Sequence, residues 1–405
     1  MHPTIRAALV AVSVSVAFQG HASELSLFAT QALSQLEALP QIRAEAEQVT
    51  LTNLSVNTAD QALYNPELSL DVENLGSDSS DEDYTLALAQ AVDWADKRGY
   101  RTRLAQLNAL QAQADYQQLR NDALATLLSA WVNLRQARQL DQYAALQQQR
   151  TQSMLSLADK MVSVGELAPL DTQLLTLELA RVTGSRADAR QTLISAESQL
   201  TLFGGDPALA LPAFQAPLPG TDVNQQLPAL KGQYQAVLAA KAGFRLARQE
   251  VKADPTFSVG AVTNGDDNSV QLGVSVPLNI RNRYQGEINE ANQGVIVAEQ
   301  QYLASSRALK IDLESLSRRY GAVADSLNRW QQLTQDSLDS SHELLQRLWR
   351  GGELPTSQYL QSQQQLSDTW ATGATLEAQQ TNLWIEMMAS RGELESWLTQ
   401  QAVGR

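Results

Sequence analysis

The side chains that could carry chemistry in this sequence are few, and no catalytic arrangement is visible among them. The chain has no cysteine and three histidines; His2 and His21 lie in the N-terminal segment, and His342 lies in a long helical pattern. Without cysteine, a Cys–His nucleophilic pair, a thiolate metal site and a disulfide are excluded. Acidic neighbours such as Glu82 and Asp83 stand in a polar loop without an accompanying base. We therefore predict that the protein is not an enzyme and that it holds no cofactor and no coordinated metal.

The methionines beyond the N-terminal segment are the remaining soft-metal candidates. They lie at apolar helical spacings without thiolate or imidazole neighbours, so we interpret them as core-filling side chains rather than as a metal relay. We interpret His342 in the same way, as a solvated or interhelical residue. These methionines are Met154, Met161, Met387 and Met388.

The N-terminal segment has the pattern of a secretory signal. His2 and Arg6 precede an apolar run over residues 7–18, and the small residues Gly20 and Ala22 mark a cleavage site after Ala22. A membrane anchor is the alternative, but this run is shorter than the ~20 residues of a spanning helix. We predict a signal peptide over residues 1–22 and an exported chain. No later run is long and apolar enough for a spanning helix, so any membrane crossing falls to strands.

The composition argues against nucleic acid as a partner. The 405 residues include 44 acidic and 30 basic side chains, which give a net charge of −14. A polyanion is repelled by such a chain, and no basic run stands out. Apolar residues make up 43% and charged residues 18%, which suits long helices with neutral polar faces.

Landmarks recur at nearly equal intervals and indicate a tandem duplication. We predict a first repeat over residues 23–205, a proline-rich linker over 206–228, a second repeat over 229–400 and a tail over 401–405. The recurring pairs are Leu39-Pro40 with Leu227-Pro228, Asn65-Pro66 with Asp254-Pro255, and Gly165-Glu166-Leu167 with Gly352-Glu353-Leu354.

Each repeat contains a helix far longer than a globular core requires. We predict helices over about 100–164 and about 286–350, the first of which has neither glycine nor proline. At ~1.5 Å per residue, some sixty residues reach about 90 to 100 Å. The second helix has a heptad seam, so it packs lengthwise against other helices. The seam consists of Leu309, Leu313, Leu316, Tyr320, Val323, Leu327 and Trp330.

Two short alternating segments precede each long helix. We predict strands over about 67–75, 84–92, 256–263 and 269–277, each with apolar residues on one face and polar or small residues on the other. Their lengths are close to the ~9–11 residues of a tilted membrane strand, although soluble hairpins remain an alternative. If these strands span a membrane, the chain has to oligomerise, because lipid tolerates no open sheet edge. Two, three or four copies would give eight, twelve or sixteen strands.

This order of elements resembles the TolC family of outer-membrane efflux channels over essentially the whole mature chain. Two motifs make the resemblance more specific. The sequence Tyr64-Asn65-Pro66-Glu67-Leu68-Ser69 is similar to the opening of the first strand in the CzcC/CusC-like branch. The sequence Val274-Ser275-Val276-Pro277-Leu278, followed by Arg281-Asn282-Arg283, is similar to the strand-to-helix elbow of the family.

The resemblance implies a mixed α and β fold and a homotrimer. Four transmembrane strands per subunit would contribute to a shared 12-strand β-barrel, and long antiparallel helices would form an α-barrel. The location implied is the outer membrane of a Gram-negative bacterium, in contact with its lipid and with a long periplasmic extension. The partners implied are a periplasmic adaptor (membrane fusion protein) and an inner-membrane RND transporter.

The resemblance also suggests functional positions. The two glycine turns, at 164–169 and 351–356, look like periplasmic tips, so Gly165, Glu166, Leu167, Gly352, Glu353 and Leu354 are candidates for adaptor docking, with plain helix punctuation as the alternative. Relatives close the tunnel with acidic residues just beyond the tips, where this chain has Asp171, Gln358 and Gln361. Aromatic residues at the membrane interface, or packed at the elbow, are Tyr64, Trp94 and Tyr284.

The predicted activity is passive conduction in an efflux system, with heavy-metal cations as the expected substrate. A drug, organic-solute or type I secretion channel of the same family is an alternative. A periplasmic coiled-coil structural or adaptor protein without a pore is the alternative from another class.

Overall fold

The computed structural model describes residues 24–73, 83–212, 214, 216–264, 267–334 and 337–403. The predicted signal peptide and most of the polar loop at 76–83 lie outside these residues. The helices are α1 (24–38), α2 (Pro40–Ala59), α3 (Lys97–Ser163), α4 (Pro169–Leu202), α5 (Pro228–Glu250), α6 (Gln285–Thr334), α7 (Ser337–Arg350), α8 (Thr356–Arg391) and α9 (Leu394–Ala402). The strands are β1 (Glu67–Glu73), β2 (Asp83–Ala91), β3 (Thr256–Asn264) and β4 (Asp267–Ser275).

Helix α3 begins at a side-chain cap and ends at a glycine. The Asp93 carboxylate accepts hydrogen bonds from the backbone N–H groups of Lys97 at 2.8 Å and Arg98 at 2.9 Å, which pairs two donors that an α-helix leaves open at its first turn. No proline and no interior glycine interrupts the helix after Gly99. It ends before Gly165, whose φ of 82° takes the chain out of the helical conformation.

The chain divides into two compact units. Among the described residues, one unit contains 24–43 together with Gln118–Asp222 and 309–403. The other contains Ala44–Gln117 and Val223–Ala308, including the sheet. Among the described helices, none has a stretch apolar and uncharged enough to cross a bilayer.

The core of the first unit is built from helix seams. Leu124, Leu127 and Trp131 of α3 are completely or almost completely buried. In α6, Leu316 of the heptad seam packs with Leu383 and Met387 of α8. The seam of α6 therefore serves contacts within the chain.

The proline-rich linker is fixed to this unit. Trp384 donates its indole N–H to the carbonyl oxygen of Pro217 at 3.1 Å, and the Arg391 guanidinium donates to the carbonyl oxygen of Gly220 at 2.7 Å. Phe214 packs against Trp384 and Trp397 with ring centroids 5.4 and 5.2 Å apart. This part of the linker therefore packs against α8 and α9.

The second unit carries one antiparallel sheet in the order β1-β2-β3-β4. Helices α3 and α5 of this unit approach closely, since a Cβ at Gly232 would clash with Asp115 Oδ1. Leu107 of α3 packs with Ala239 and Ala242 of α5. Small residues thus set the spacing of these helices.

Several boundaries differ from the sequence prediction. Strand β4 ends at Ser275 rather than 277, because its partner β3 begins at Thr256, which lies opposite Ser275. Residues 401 and 402, predicted as tail, complete α9. The long helix predicted over 286–350 is described as α6 and α7, with residues 335–336 outside the described part.

Candidate functional site

One face of the sheet is apolar and exposed. The register aligns Leu68, Leu88, Val259 and Leu272 in one row across the four strands, and Leu70, Leu86, Ala261 and Val270 in another. Leu68 is 72% exposed and Leu272 is 80% exposed. A contiguous apolar face of this kind requires a partner or a lipid environment.

The opposite face is polar, acidic and built largely from small side chains. One row contains Ser69, Ala87, Gly260 and Gln271, and the last contains Glu73, Asp83, Asn264 and Asp267. Glu67 and Asp71 of β1 lie on this face too. The described strands contain acidic residues but no lysine or arginine. Such a face suits the wall of a water-filled passage and repels anions.

The two outer strands are paired on one side. β1 is hydrogen-bonded to β2, and β4 to β3, in the order β1-β2-β3-β4. The outer backbone groups of β1 and β4 therefore face away from the sheet. In lipid each unpaired backbone group costs several kcal/mol, so the edges have to be covered by another strand if the sheet spans a membrane.

A buried ion pair lies where the strands meet α3. Lys97 Nζ is 2.8 Å from Asp254 Oδ2 and donates to the carbonyl oxygen of Lys252 at 2.7 Å. The Tyr64 hydroxyl donates to the same Asp254 oxygen at 2.5 Å. Lys97 is 9% and Asp254 is 8% exposed. This network joins the segment before β1, the segment before β3 and the first residue of α3.

The network sets the ionisation of its acid and phenol. Burial raises the pKa of Asp254, but hydrogen bonds from Lys97 and Tyr64, the charge of Lys97 and the backbone of Trp94 outweigh burial and bring the pKa below 3.8. The hydrogen bond to Asp254, with burial and the negative charge, raises the pKa of Tyr64 to about 12. Asp254 is therefore a carboxylate and Tyr64 a neutral donor at neutral pH.

The three predicted interface aromatics occupy different environments. Tyr64 is tied to Asp254, so it has a packing role at the elbow. Trp94 is 74% exposed, as a side chain at a lipid–water boundary would be. Tyr284 is partly exposed and has a φ of 53° directly before α6.

The two predicted tips are the same turn built twice. In the first, the N–H of Gly165 donates to the carbonyl oxygen of Val162 at 3.0 Å and that of Glu166 to Met161 at 2.8 Å. In the second, Gly352 donates to Trp349 at 3.1 Å and Glu353 to Leu348 at 2.9 Å. These are paired Schellman hydrogen bonds, and they require a left-handed residue. The φ values of Gly165 and Gly352, 82° and 74°, meet that requirement.

The side chains of the tips divide into inward and outward ones. Leu167 and Leu354 pack against a cluster of Met154, Ala158, Leu175, Trp349 and Tyr359, whereas Glu166 and Glu353 are exposed. Trp349 donates to the Thr356 hydroxyl at 3.0 Å and so closes the second tip. The two leucines therefore stabilise the tips, and the two glutamates are the groups that a partner can contact.

The predicted gate positions lie at the start of the helices after the tips. Asp171 is partly buried in the first turn of α4, and Gln358 and Gln361 of α8 are exposed. Further along α8, the side-chain amide of the buried Gln363 is hydrogen-bonded to His342, whose Nδ1 lies 2.9 Å from Gln363 Nε2. Within the described residues, no group of three or more His, Asp or Glu side chains is arranged to hold a metal ion.

Sequence reasoning missed the Lys97–Asp254 pair. Asp254-Pro255 is a repeat landmark in the sequence, but that pattern does not identify Lys97 as a partner of Asp254. Their partnership spans 157 positions, and no local pattern encodes it.

Long helices together with a four-stranded antiparallel sheet of this polarity give a TolC-like fold. No protein-family model matches the chain. The cobalt-zinc-cadmium resistance protein CzcC of Cupriavidus metallidurans is 25% identical over 287 residues, which cover 67% of each protein. The similarity to CzcC extends over most of the chain, and the solved structures below show that the fold is shared with outer-membrane channels.

Solved structures share the fold. CusC has a TM-score of 0.70 at 16% identity, covering 90% of this chain and 91% of CusC. The outer-membrane channel OprN has a TM-score of 0.74 at 15% identity, covering 90% of each chain. VceC of Vibrio cholerae has a TM-score of 0.72 at 13% identity, covering 90% of this chain and 96% of VceC. The chain therefore has the fold of these outer-membrane channels over about nine tenths of its length.

Removing Lys97 should leave the carboxylate of Asp254 as a buried, unpaired charge. We expect Lys97→Met to lower the free energy of unfolding by ~3–5 kcal/mol at pH 7. The folded-state pKa of Asp254 lies below 3.8, so the stabilisation by the pair is present above pH 3.8 and is lost as the pH falls through the folded-state value. The deficit of the variant should therefore narrow at acidic pH, measured by thermal unfolding in detergent.

The matched control is Lys97→Met with Asp254→Leu, which removes both charges. It should be more stable than Lys97→Met alone, since two apolar residues leave no buried charge. A deficit that is the same at every pH and in both variants would show that the pair has no electrostatic role.

Proposed function

We propose that this chain is the outer-membrane channel subunit of a tripartite RND-type efflux system. The observation that carries the proposal is the sheet: one face is apolar and exposed, the other is acidic, and both edges are open. A soluble coiled-coil protein does not require such a sheet. A membrane channel built from several copies requires an apolar face towards lipid, a polar face towards the passage and edges that pair with further copies. The subunit conducts passively, and the inner-membrane transporter supplies the free energy.

The functional assembly that we propose is a homotrimer. Its twelve strands form one β-barrel in the outer-membrane lipid, with the acidic face inward, and its long helices form an α-barrel in the periplasm. The TolC-like fold supports this number, and the open edges support closure by further copies.

We assign the contact with the periplasmic adaptor to the two tips. Gly165 and Gly352 shape the turns, Leu167 and Leu354 hold them against the chain, and Glu166 and Glu353 present charge to the partner. Asp171, Gln358 and Gln361 stand next to these turns and form the gate region. Because two of these positions are glutamines, closure here relies on amide hydrogen bonds more than on charge.

Heavy-metal cations are the substrate that we propose. Two observations support this: the acidic sheet face without basic residues, and the similarity to a cobalt-zinc-cadmium resistance protein. Metal ions pass as hydrated cations drawn by the negative wall rather than through a coordination site.

The repeat predicts which residues face each other where β4 of one copy lies beside β1 of the next copy. Val274 lies opposite Phe257 as Leu88 lies opposite Leu68, and Phe257 and Leu68 are each the second residue after the proline before their strand. Val274 thus corresponds to Leu88. By the same count from the prolines, Leu70 corresponds to Val259, which is the partner of Leu88 across β2 and β3. Val274 of one copy should therefore face Leu70 of the next.

A cysteine pair tests this closure. Since the natural chain has no cysteine, Leu70→Cys with Val274→Cys should give disulfide-linked trimers on oxidation of outer membranes, read on non-reducing gels. Leu70→Cys with Ser275→Cys is the control, because residue 275 points to the other face. Monomers alone from the first pair would contradict the barrel.

Charge removal tests the cation preference. Glu67→Gln with Asp71→Asn should bring the cation-to-anion permeability ratio severalfold closer to one, measured from the reversal potential in a planar bilayer under a salt gradient. Asp188→Asn with Asp325→Asn removes the same charge outside the strands and should change the ratio less. An unchanged ratio in the first variant would exclude the sheet face as the selective wall.

Charge reversal at the tips tests docking. Glu166→Arg with Glu353→Arg should severely reduce cobalt, zinc or cadmium resistance in cells that depend on this channel, while outer-membrane trimers form normally. Reversing Asp188 and Asp325 to Arg, two exposed helical acids, is the control and should preserve resistance. Full resistance in the tip variant would remove the glutamates from the docking surface.

A further inference from the structure

Each repeat has an elbow between its second strand and its long helix, at residues 92–96 in the first repeat and 276–284 in the second. Corresponding residues lie at the two elbows. Asp96 and Tyr284 have positive φ values of 57° and 53°, and each directly precedes a long helix, so that Lys97 and Gln285 are corresponding first residues. Asn65 and Asp254 correspond in the same way, because each stands before the proline that leads into β1 or β3.

Within the chain, the elbow before α3 contacts the segment before β3, which belongs to the second repeat. The ion pair of Lys97 with Asp254 lies at the seam between β2 and β3. The N–H of Val92 donates across the same seam to the carbonyl oxygen of Pro255 at 2.9 Å. Lys97, Asp254 and Pro255 are all buried.

The corresponding residues of the other elbow are exposed. Gln285 follows β4, the outer strand on one side, and Asn65 and Pro66 precede β1, the outer strand on the other. All three are exposed in the single chain. The same structural positions are thus buried at the boundary between β2 and β3, which forms within the chain. At the outer strands β1 and β4 they are exposed.

We propose that Gln285 of one copy meets Asn65 of the next copy across the boundary between copies, in the place that Lys97 and Asp254 occupy within the chain. This rests on the proposed oligomeric channel, because it requires β4 of one copy to lie beside β1 of another. The boundary between copies then has an amide pair where the chain itself has an ion pair.

The difference in chemistry has a physical reason. Lys97 and Asp254 are brought together when the chain folds, so neither charge has to be desolvated without the other. Gln285 and Asn65 stay in water until two copies meet, and a charge on either would be costly to bury if the pairing were imperfect. Amides avoid that cost. Gln285 donates meanwhile to Asn289 Oδ1 at 3.0 Å, a neutral contact that can be exchanged on assembly.

The test installs the ion pair between copies. Asn65→Asp or Gln285→Lys alone should lower the temperature at which the purified trimer dissociates in detergent, because each buries a single charge at the boundary. The double variant should dissociate above both single variants, so that the two effects are not additive. The readout is the trimer band after heating in mild SDS.

A second lysine position supplies the control. Asn292 lies two helical turns beyond Gln285 on α6, so Asn65→Asp with Asn292→Lys places the same charges out of reach. This variant should show no rescue. Additive effects in the Asn65→Asp, Gln285→Lys variant, or equal rescue by the Asn292 variant, would overturn the assignment.

A second measurement separates this inference from the proposed function. Trimers linked through Leu70→Cys and Val274→Cys, without coupling between residues 65 and 285, would overturn the elbow contact and leave the channel in place. A wild-type protein that is monomeric in the outer membrane, together with no cross-link from the Leu70→Cys, Val274→Cys variant, would overturn both.

Discussion

The constraint on which this structure depends is that a bilayer interior cannot solvate a strand edge. A soluble sheet with two open edges can leave them to water, but if a sheet lies with its apolar face in lipid, its outer backbone groups have to find partners. The four strands of one chain are too few to close on themselves. Oligomerisation is thus a condition of membrane insertion for this chain.

The buried pair of Lys97 and Asp254 solves a related problem at the sheet's base. The polypeptide changes there from strand to helix, and three segments distant in sequence have to meet without burying unpaired charge. One carboxylate receives both an ammonium and a phenol, and the ammonium also reaches a backbone carbonyl. An ion pair with these additional hydrogen bonds fixes geometry more than it adds stability.

Local patterns predicted the elements well and their partnerships poorly. The helix through residues 100–163, the alternation of Leu68 and Leu70, and the glycines at 165 and 352 follow from propensity, side-chain period and backbone conformation, which neighbouring residues set. The end of β4 at Ser275 depends on where β3 begins, and the inward direction of Leu167 and Leu354 depends on a cluster assembled from four helices. Neither is encoded within a few residues. The two glycine turns can therefore be predicted from the sequence, whereas the division of their side chains into packed and exposed groups depends on the tertiary structure.

The fixed linker has a consequence for how the covalent chain could be divided. Trp384 and Arg391 hold residues 217–222 through backbone carbonyls, and β2 pairs with β3 across the repeats. A protease cut among the exposed residues 224–226 would therefore leave two fragments joined by hydrogen bonds and packing, not two free halves. The linker therefore keeps the two repeats close together, but noncovalent contacts hold them in place. This is expected if the two repeats descend from separate chains that already assembled side by side.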